Sequence, residues 1–257
     1  MPMNYEEFKD VIHRKSKINL NYYKERQMKR RIDSLIKRNN FKGYKDYYEA
    51  LCKDKDLYEQ FINYLTINVS EFYRNINQWK VLESEVFPYL LSKNKKLKIW
   101  SAACSTGDEP YSLAMCLSNL IPLSSISIIA TDIDKEVLRK AKEGIYSEKS
   151  VAGVPTNFVN KYFNKVGDKY QIKSEIKKCI EFKEHNLLND PYPKNCDLIV
   201  CRNVMIYFTE ESKDMIYKKF NESLKGGGIL FVGSTEQIIM PTRYNFESLK
   251  TFFYKKI

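Results

Sequence analysis

Histidine is nearly missing from this sequence. His13 and His185 are the only two, so a mechanism built on an imidazole base has little material. The six cysteines (Cys52, Cys104, Cys116, Cys179, Cys196 and Cys201) form no CxxC pair. Most lie inside apolar runs, so they read as buried, reduced thiols of a cytosolic protein, and their spacing offers no metal site. No stretch approaches the ~20 apolar residues that a membrane span needs. The opening MPMNYEEFKD has no apolar signal-peptide core. Internal repeats, low-complexity tracts and a GxGxxG pattern are also missing. What is present is 257 residues, 43% hydrophobic and 29% charged, which reads as one large or two modest globular domains.

The charge is uneven. The net value is +11, and Arg14 to Lys45 holds twelve Lys/Arg against two acids, Glu25 and Asp33. Such a field suits an acidic partner: nucleic acid, a membrane surface or an acidic protein. The plain alternative is a solvated helix face. Met28, Ile32, Leu35 and Ile36 recur at helical spacing, and Arg26, Arg30 and Lys37 fall on the opposite face of that helix.

Residues 1–75 read as all-helical, with Phe8, Val11 and Ile12 on one early helix and Leu57, Phe61 and Leu65 on a later one. The pattern changes after about residue 95. Strands are expected in LKIWSAAC, SISIIATDID, CIEFKEHNLL, CDLIVCRNV and ILFVGSTE. Helices are expected between them, one stopped by Gly144 and another by the triple glycine 226–228. Alternation of this kind predicts a mostly parallel sheet covered on both faces. The end, YNFESLKTFFYKKI, reads as an antiparallel hairpin. Residues 145–180 break the rhythm and read as a small inserted hairpin with a turn at Gly167-Asp168. The expected division is therefore 1–75 and 76–257, with the insert inside the second part. By analogy this is the Rossmann-like, seven-stranded arrangement of class I S-adenosylmethionine-dependent methyltransferases.

In an open parallel sheet, ligands bind beyond the carboxyl ends of the strands. The first such end carries Ser105-Thr106-Gly107-Asp108-Glu109, the second Thr131-Asp132, the third His185-Asn186-Leu187 and the fourth Arg202-Asn203. The acids of the first turn would repel a pyrophosphate, which argues against a dinucleotide or P-loop site. A cationic ligand fits better, and S-adenosylmethionine carries a sulfonium and an ammonium. Asp132 lies 25 residues after Gly107, near the spacing at which an acid accepts from ribose hydroxyls. The plain alternatives are a helix N-terminal acid for Glu109 and a cap or turn acid for Asp132.

Four blocks, TINVSEFYRN (66–75), IWSAACSTGDEPYSLAM (99–115), ATDID (130–134) and CRNVMIYF (201–208), together resemble the chemotaxis receptor glutamate methyltransferases of the CheR type. The resemblance spans residues 1–257. It implies an N-terminal receptor-docking domain, S-adenosylmethionine as cofactor and S-adenosylhomocysteine as product. By position it implies Asn68, Ser70, Arg74, Glu109, Asp132, Asn186, Leu187, Arg202 and Asn203 as cofactor-pocket residues. Ser70 stands where threonine is usual and keeps the hydroxyl, and Asp108 stands where the family usually has glutamate. Arg74 and Tyr207 are the expected catalytic pair, orienting an acceptor carboxylate. The plain alternatives are a pair of Arg74 with Glu71 or Asp108, and a strand-edge core role for Tyr207.

A carboxylate acceptor is already ionised at neutral pH, which agrees with the shortage of histidine. The resemblance also gives the basic stripe a partner: the acidic helical coiled coil of a receptor, met by Arg26, Arg30 and Lys37. A cytoplasmic monomer with no membrane insertion and no nucleic-acid partner is expected. Tethering of a receptor peptide by the inserted hairpin is not expected. The rivals are a nucleic-acid methyltransferase, suggested by the charge and by DPYP (190–193), and a non-catalytic receptor adaptor. DPYP precedes the strand that it would have to close, and the strand-end side chains form an intact set.

Overall fold

A computed structural model describes residues 2–257. The chain divides into two compact units. One holds the residues up to Asn68 together with Tyr207–Met215, and the other holds Val69–Ile206 and Ile216–Ile257. The sequence reading places a single boundary near residue 75 and expects no return of the chain to the helical unit. The difference has a physical origin. Phe72 and Tyr73 are buried, and Phe72 meets Tyr146 and Phe163 edge-on at 4.8 and 5.7 Å. Burying two aromatic rings ties residues 69–75 to the sheet unit.

The helical unit contains α1 (Tyr5–Ser16), α2 (Glu25–Arg38), α3 (Tyr44–Lys53) and α4 (Lys55–Thr66). A capping box starts α1: Asn4 accepts from the Glu7 amide and Glu7 accepts from the Asn4 amide, both at 2.9 Å. Asp54 caps α4. The core is aromatic at its centre. Phe8, Tyr47 and Phe61 are fully buried, with Phe61 edge-on to both other rings. Ile12, Ile32, Leu35 and Leu65 fill in around them. The returning segment is pinned by main-chain bonds, Lys24 N–H to Tyr207 O at 2.9 Å and Thr209 N–H to Tyr22 O at 3.0 Å.

The sheet unit opens with α5 (Ile76–Val81), which runs through a π-helical segment, Leu82–Val86, into α6 (Phe87–Lys93). β1 (Ile99–Ala102), α7 (Asp108–Leu117), β2 (Ile128–Asp132) and α8 (Lys135–Glu143) follow. Next come β3 (Ile145–Ser147), α9 (Glu148–Val151), α10 (Thr156–Tyr162), β4 (Phe163–Val166), β5 (Lys169–Ile172) and α11 (Ser174–Lys177). β6 (Ile180–Glu184), β7 (Cys196–Cys201), α12 (Glu210–Ser223), β8 (Leu224–Val232), β9 (Phe246–Lys250) and β10 (Phe253–Lys256) complete the chain.

Seven strands form one sheet in the order β6-β2-β1-β7-β8-β10-β9. The first five pair in parallel, and β10 pairs antiparallel with both β8 and β9. The chain moves outward from β1 through β2 to β6, then resumes on the other side of β1 with β7. The order therefore reverses between β1 and β7, and the loops leaving β1, β2 and β7 frame the crevice where such sheets bind ligands. β7 is buried at every position, and five of the six cysteines are buried, Cys52 being exposed.

Two details differ from the sequence reading. The inserted element is a three-stranded sheet in the order β3-β5-β4, because Ile145–Ser147 pairs with β5. The triple glycine does not stop α12 but lies inside β8. There the register with β7 slips between Cys196 and Leu198, and a bulge of this kind favours residues without side chains.

Candidate active site

The turn after β1 is shaped by left-handed backbone. Ala103, Ser105 and Gly107 have φ of 63°, 48° and 90°, a region that costs a non-glycine residue roughly 1–2 kcal/mol. A Cβ at Gly107 would stand 2.9 Å from Ala141 Cβ and 3.2 Å from the Tyr146 hydroxyl. The turn is held from outside. Cys104 N–H donates to Thr131 O at 2.8 Å, and the Tyr146 hydroxyl donates to Thr106 O at 2.7 Å.

Asp132, at the end of β2, completes that hold. One carboxylate oxygen accepts from Ser105 N–H at 2.8 Å, and the other accepts from Asp134 N–H at 3.0 Å. The cap of α8 is Asp134, not Asp132. Burial pushes the Asp132 carboxyl up to about 6 from its ordinary 3.8, against the pull of its N–H donors.

Glu109 sits in the first turn of α7 with its side chain 13% exposed. The Ser101 hydroxyl donates to it at 2.8 Å, and the Arg202 guanidinium lies 3.7 Å away. Burial raises its carboxyl, opposed mainly by Arg202. The neighbouring Asp108 is also buried and raised by desolvation, and the hydroxyls of Thr106 and Ser70 hydrogen-bond it. Ser70 thus reaches the turn after β1 through Asp108, and Asp108 ties the chain near residue 70 to α7.

Arg202 is almost fully enclosed, with its side chain 2% exposed. One terminal nitrogen donates to Arg74 O at 2.7 Å, to Gln78 Oε1 at 2.8 Å and to Asn75 Oδ1 at 3.3 Å. Its carbon lies 4.8 Å from the Phe231 ring centre and 5.7 Å from that of Trp79. Arg74 itself stands between two left-handed residues, Tyr73 (φ 52°) and Asn75 (φ 61°). Its carbonyl also accepts from the Trp79 indole at 2.9 Å, while Tyr73 N–H donates to Ser112 Oγ at 3.2 Å. The Arg74 charge lowers the Glu109 carboxyl and opposes the Arg202 charge, so all three share one electrostatic neighbourhood.

Beyond β6, Asn186 Oδ1 accepts from Leu188 N–H at 2.9 Å, and Leu187 O accepts from the Tyr192 hydroxyl at 2.6 Å. The Tyr192 ring packs edge-on to Trp100 at 4.9 Å. DPYP is therefore a brace for the Asn186-Leu187 turn rather than a catalytic motif. The half-buried His185 ring also meets Trp100 edge-on at 5.4 Å, and burial lowers its pKa.

The sheet unit thus brings Ser70, Arg74, Glu109, Asp132, Arg202 and Asn203 to one end of the sheet, with Asn186-Leu187 at the end of β6. Asn68 and Tyr207 belong to the helical unit. There Asn68 donates to Thr66 Oγ1 at 2.9 Å, and Tyr207 closes the 3₁₀ turn Met205–Tyr207. On α2, Arg26, Arg30 and Lys37 are exposed and line a groove of about 340 Å³ with Lys29, Asp33 and Ser34. Two other cations of that helix are not part of the stripe, because Arg31 and Arg38 cover the Tyr64 ring at 4.3 and 5.4 Å.

Sequence reasoning missed Ser101, Gln78 and Glu236. Ser101 had a signal, a hydroxyl in an otherwise apolar strand. Glu236 had one as well, an acid just past the apolar run of β8. Gln78 had none.

A cationic nucleoside fits these residues. Two buried carboxyls with raised pKa, Glu109 and Asp132, gain from a positive charge or from hydroxyl donors. The hydroxyl of buried Ser105, whose main chain bonds Asp132, has no hydrogen-bond partner, and an orphaned buried hydroxyl calls for one.

Two family models match the chain: the CheR methyltransferase all-alpha domain over residues 3–66 and the CheR methyltransferase SAM binding domain over residues 68–253. The chain is 44% identical over 254 residues to the chemotaxis protein methyltransferases of Listeria innocua and Listeria monocytogenes, covering 98% of this chain and 97% of each relative. It is 35% identical over 256 residues to that of Borreliella burgdorferi, covering 91% and 90%.

Proposed function

The chain belongs to the CheR methyltransferase family and is an S-adenosylmethionine-dependent methyltransferase, and from that premise we propose that it methylates glutamate side chains of chemotaxis receptors, giving methyl esters. The observation that carries the reading is the pair of largely enclosed carboxyls, Glu109 and Asp132, after β1 and at the end of β2, with Asp132 bonded to the main chain of Ser105, whose hydroxyl has no partner. Glu109 is suited to the ligand's positive charge, Asp132 to its ribose hydroxyls, and the Asn186-Leu187 turn to its base.

S-adenosylmethionine, when bound, supplies an electrophilic methyl group on a sulfonium. The protein's part is placement. An acceptor glutamate is ionised at neutral pH and needs no base. It needs desolvation and orientation, which together are worth several kcal/mol of barrier. Arg74 supports the second, because its main chain is anchored by Arg202 and Trp79 while its side chain is half-exposed. Tyr207 is assigned as a second orienting group, through its hydroxyl. These groups must hold the carboxylate loosely, since a tight ground-state grip slows transfer.

The exposed stripe Arg26, Arg30 and Lys37 is assigned to docking an acidic, helical receptor region. A monomer in the cytoplasm suits that task, and among the described residues no helix is long and apolar enough to cross a membrane. The test is transfer of a labelled methyl group to a purified receptor fragment. Label released by mild base, as an ester must be, supports the reading. Base-stable label, or binding of S-adenosylmethionine with no transfer to any receptor fragment, rejects it.

A further inference from the structure

Glu236 lies just beyond β8 and is 5% exposed. Its two oxygens are spent on main chain. Oε2 accepts from Asn203 N–H at 2.6 Å and Gly233 N–H at 2.9 Å, and Oε1 accepts from Met205 N–H at 2.7 Å and Ile206 N–H at 3.4 Å. Charge-assisted bonds of this kind are about twice as strong as neutral ones. Burial raises the Glu236 carboxyl, and the four amides oppose that rise.

Three of the four amides belong to the loop that leaves β7. That loop begins with Arg202, the residue that donates to the Arg74–Gln78 turn and faces Glu109. Its next residue, Asn203, is held left-handed with φ 61°. The packing around the carboxylate is close. A Cβ on Gly233 would stand 2.6 Å from Glu236 Oε2 and 2.8 Å from Asn203 N. The fourth amide, Gly233, fixes the end of β8 against the same group. One buried side chain therefore joins the exits of two neighbouring strands.

We propose that Glu236 is a positioning residue for methyl transfer: its carboxylate fixes the main chain after β7, so that Arg202 keeps Glu109 and the Arg74 turn in register. The part of this inference that concerns the cofactor rests on the function proposed above. Both Glu236 oxygens are taken up by main-chain amides. It acts through Arg202 and Asn203.

The test is Glu236→Gln in the full chain. Glutamine keeps the shape but replaces one acceptor oxygen with an NH₂ group that faces amide donors. Hydrogen exchange at residues 203, 205, 206 and 233 should accelerate ~30-fold, while β1 and β2 keep their protection. Affinity for S-adenosylhomocysteine should fall ~10-fold. Turnover should fall on the order of a hundredfold with the acceptor KM unchanged, as a displacement of about 1 Å produces. If Glu236→Gln does not fold, Gly233→Ala serves, since it pushes the carboxylate off its amides without removing the charge. Wild-type turnover and wild-type cofactor affinity in a variant whose loop exchanges faster would show a purely structural brace and overturn the proposal. Exchange and S-adenosylhomocysteine affinity need no acceptor, so this outcome is distinct from failure of the glutamate assignment.

Discussion

The two units use charge in opposite ways. On α2 the cations Arg26, Arg30 and Lys37 stand in solvent over a buried apolar stripe. At the carboxyl end of the sheet, Glu109, Asp132, Arg202 and Glu236 are enclosed. An exposed charge keeps its water, is screened within about 10 Å at moderate salt and contributes chiefly to encounter. An enclosed charge has lost its water and persists only where partners are fixed around it. The first arrangement tolerates imprecision and suits a long acidic surface. The second enforces geometry and suits a reacting centre. The same contrast explains why eleven excess positive charges said little about the enclosed groups at the end of the sheet.

The sharpest way to break this comparison is at Arg74, the half-exposed cation of the sheet unit. Arg74→Ala should lower turnover by ~10²- to 10³-fold, the range for removing a charged orienting group. The fold should persist, because Arg202 and Trp79 bind the carbonyl of residue 74 and not its side chain. A thermal melt beside a turnover assay checks both halves, and unchanged activity would remove Arg74 from the mechanism.

Asp132 tests the enclosed side. Asp132→Asn should weaken S-adenosylmethionine binding by ~10- to 100-fold, measured by titration calorimetry. Its pH dependence follows from the raised carboxyl. A group raised on folding contributes stability that is full below its unfolded value, 3.8, and gone once pH passes its folded value, about 6. That shift corresponds to ~3 kcal/mol. Between pH 4 and pH 7 the ligand-free wild type should therefore lose up to ~3 kcal/mol relative to Asp132→Asn, read from denaturant midpoints at each pH. Equal pH dependence in the two proteins would mean that Asp132 titrates normally.

The smallest effect belongs to the exposed side. Arg30→Glu combined with Lys37→Glu should reduce methylation of a receptor fragment ~5- to 10-fold at low salt, and the deficit should shrink as salt is added. Affinity for S-adenosylmethionine should be unchanged. A deficit that ignores salt, or none at all, would reduce the stripe to ordinary solvation.

Legibility followed locality. The IWSAACSTGDEPYSLAM unit was readable because strand, turn and helix occupy adjacent residues and each leaves its own pattern. The buried cysteines, the parallel alternation and the terminal hairpin were readable for the same reason. Residues 76–93 carry conflicting signals. Trp79, Leu82, Val86 and Leu90 recur there and are buried, but Pro88 argues against a continuous helix, and the chain answers with the π-helical segment before it. The glycines of β8 read in sequence as a helix stop because glycine marks both helix ends and bulges, and only the pairing with β7 distinguishes the two. The β3 strand was invisible because its partner is 22 or more residues away in sequence.

By itself, the sequence determined which residue types stand at each strand end, which helix face is basic, and that only two histidines are available. Tertiary structure alone decided that Arg202 turns inward to Glu109 and the carbonyl of Arg74, that Asp108 bonds Thr106 while Glu109 meets Ser101 and Arg202, and that Glu236 gathers four amides from two strand exits. The reason is physical. Composition and spacing report what a side chain can do, whereas desolvation and hydrogen-bond geometry depend on neighbours that the chain brings together from distant positions.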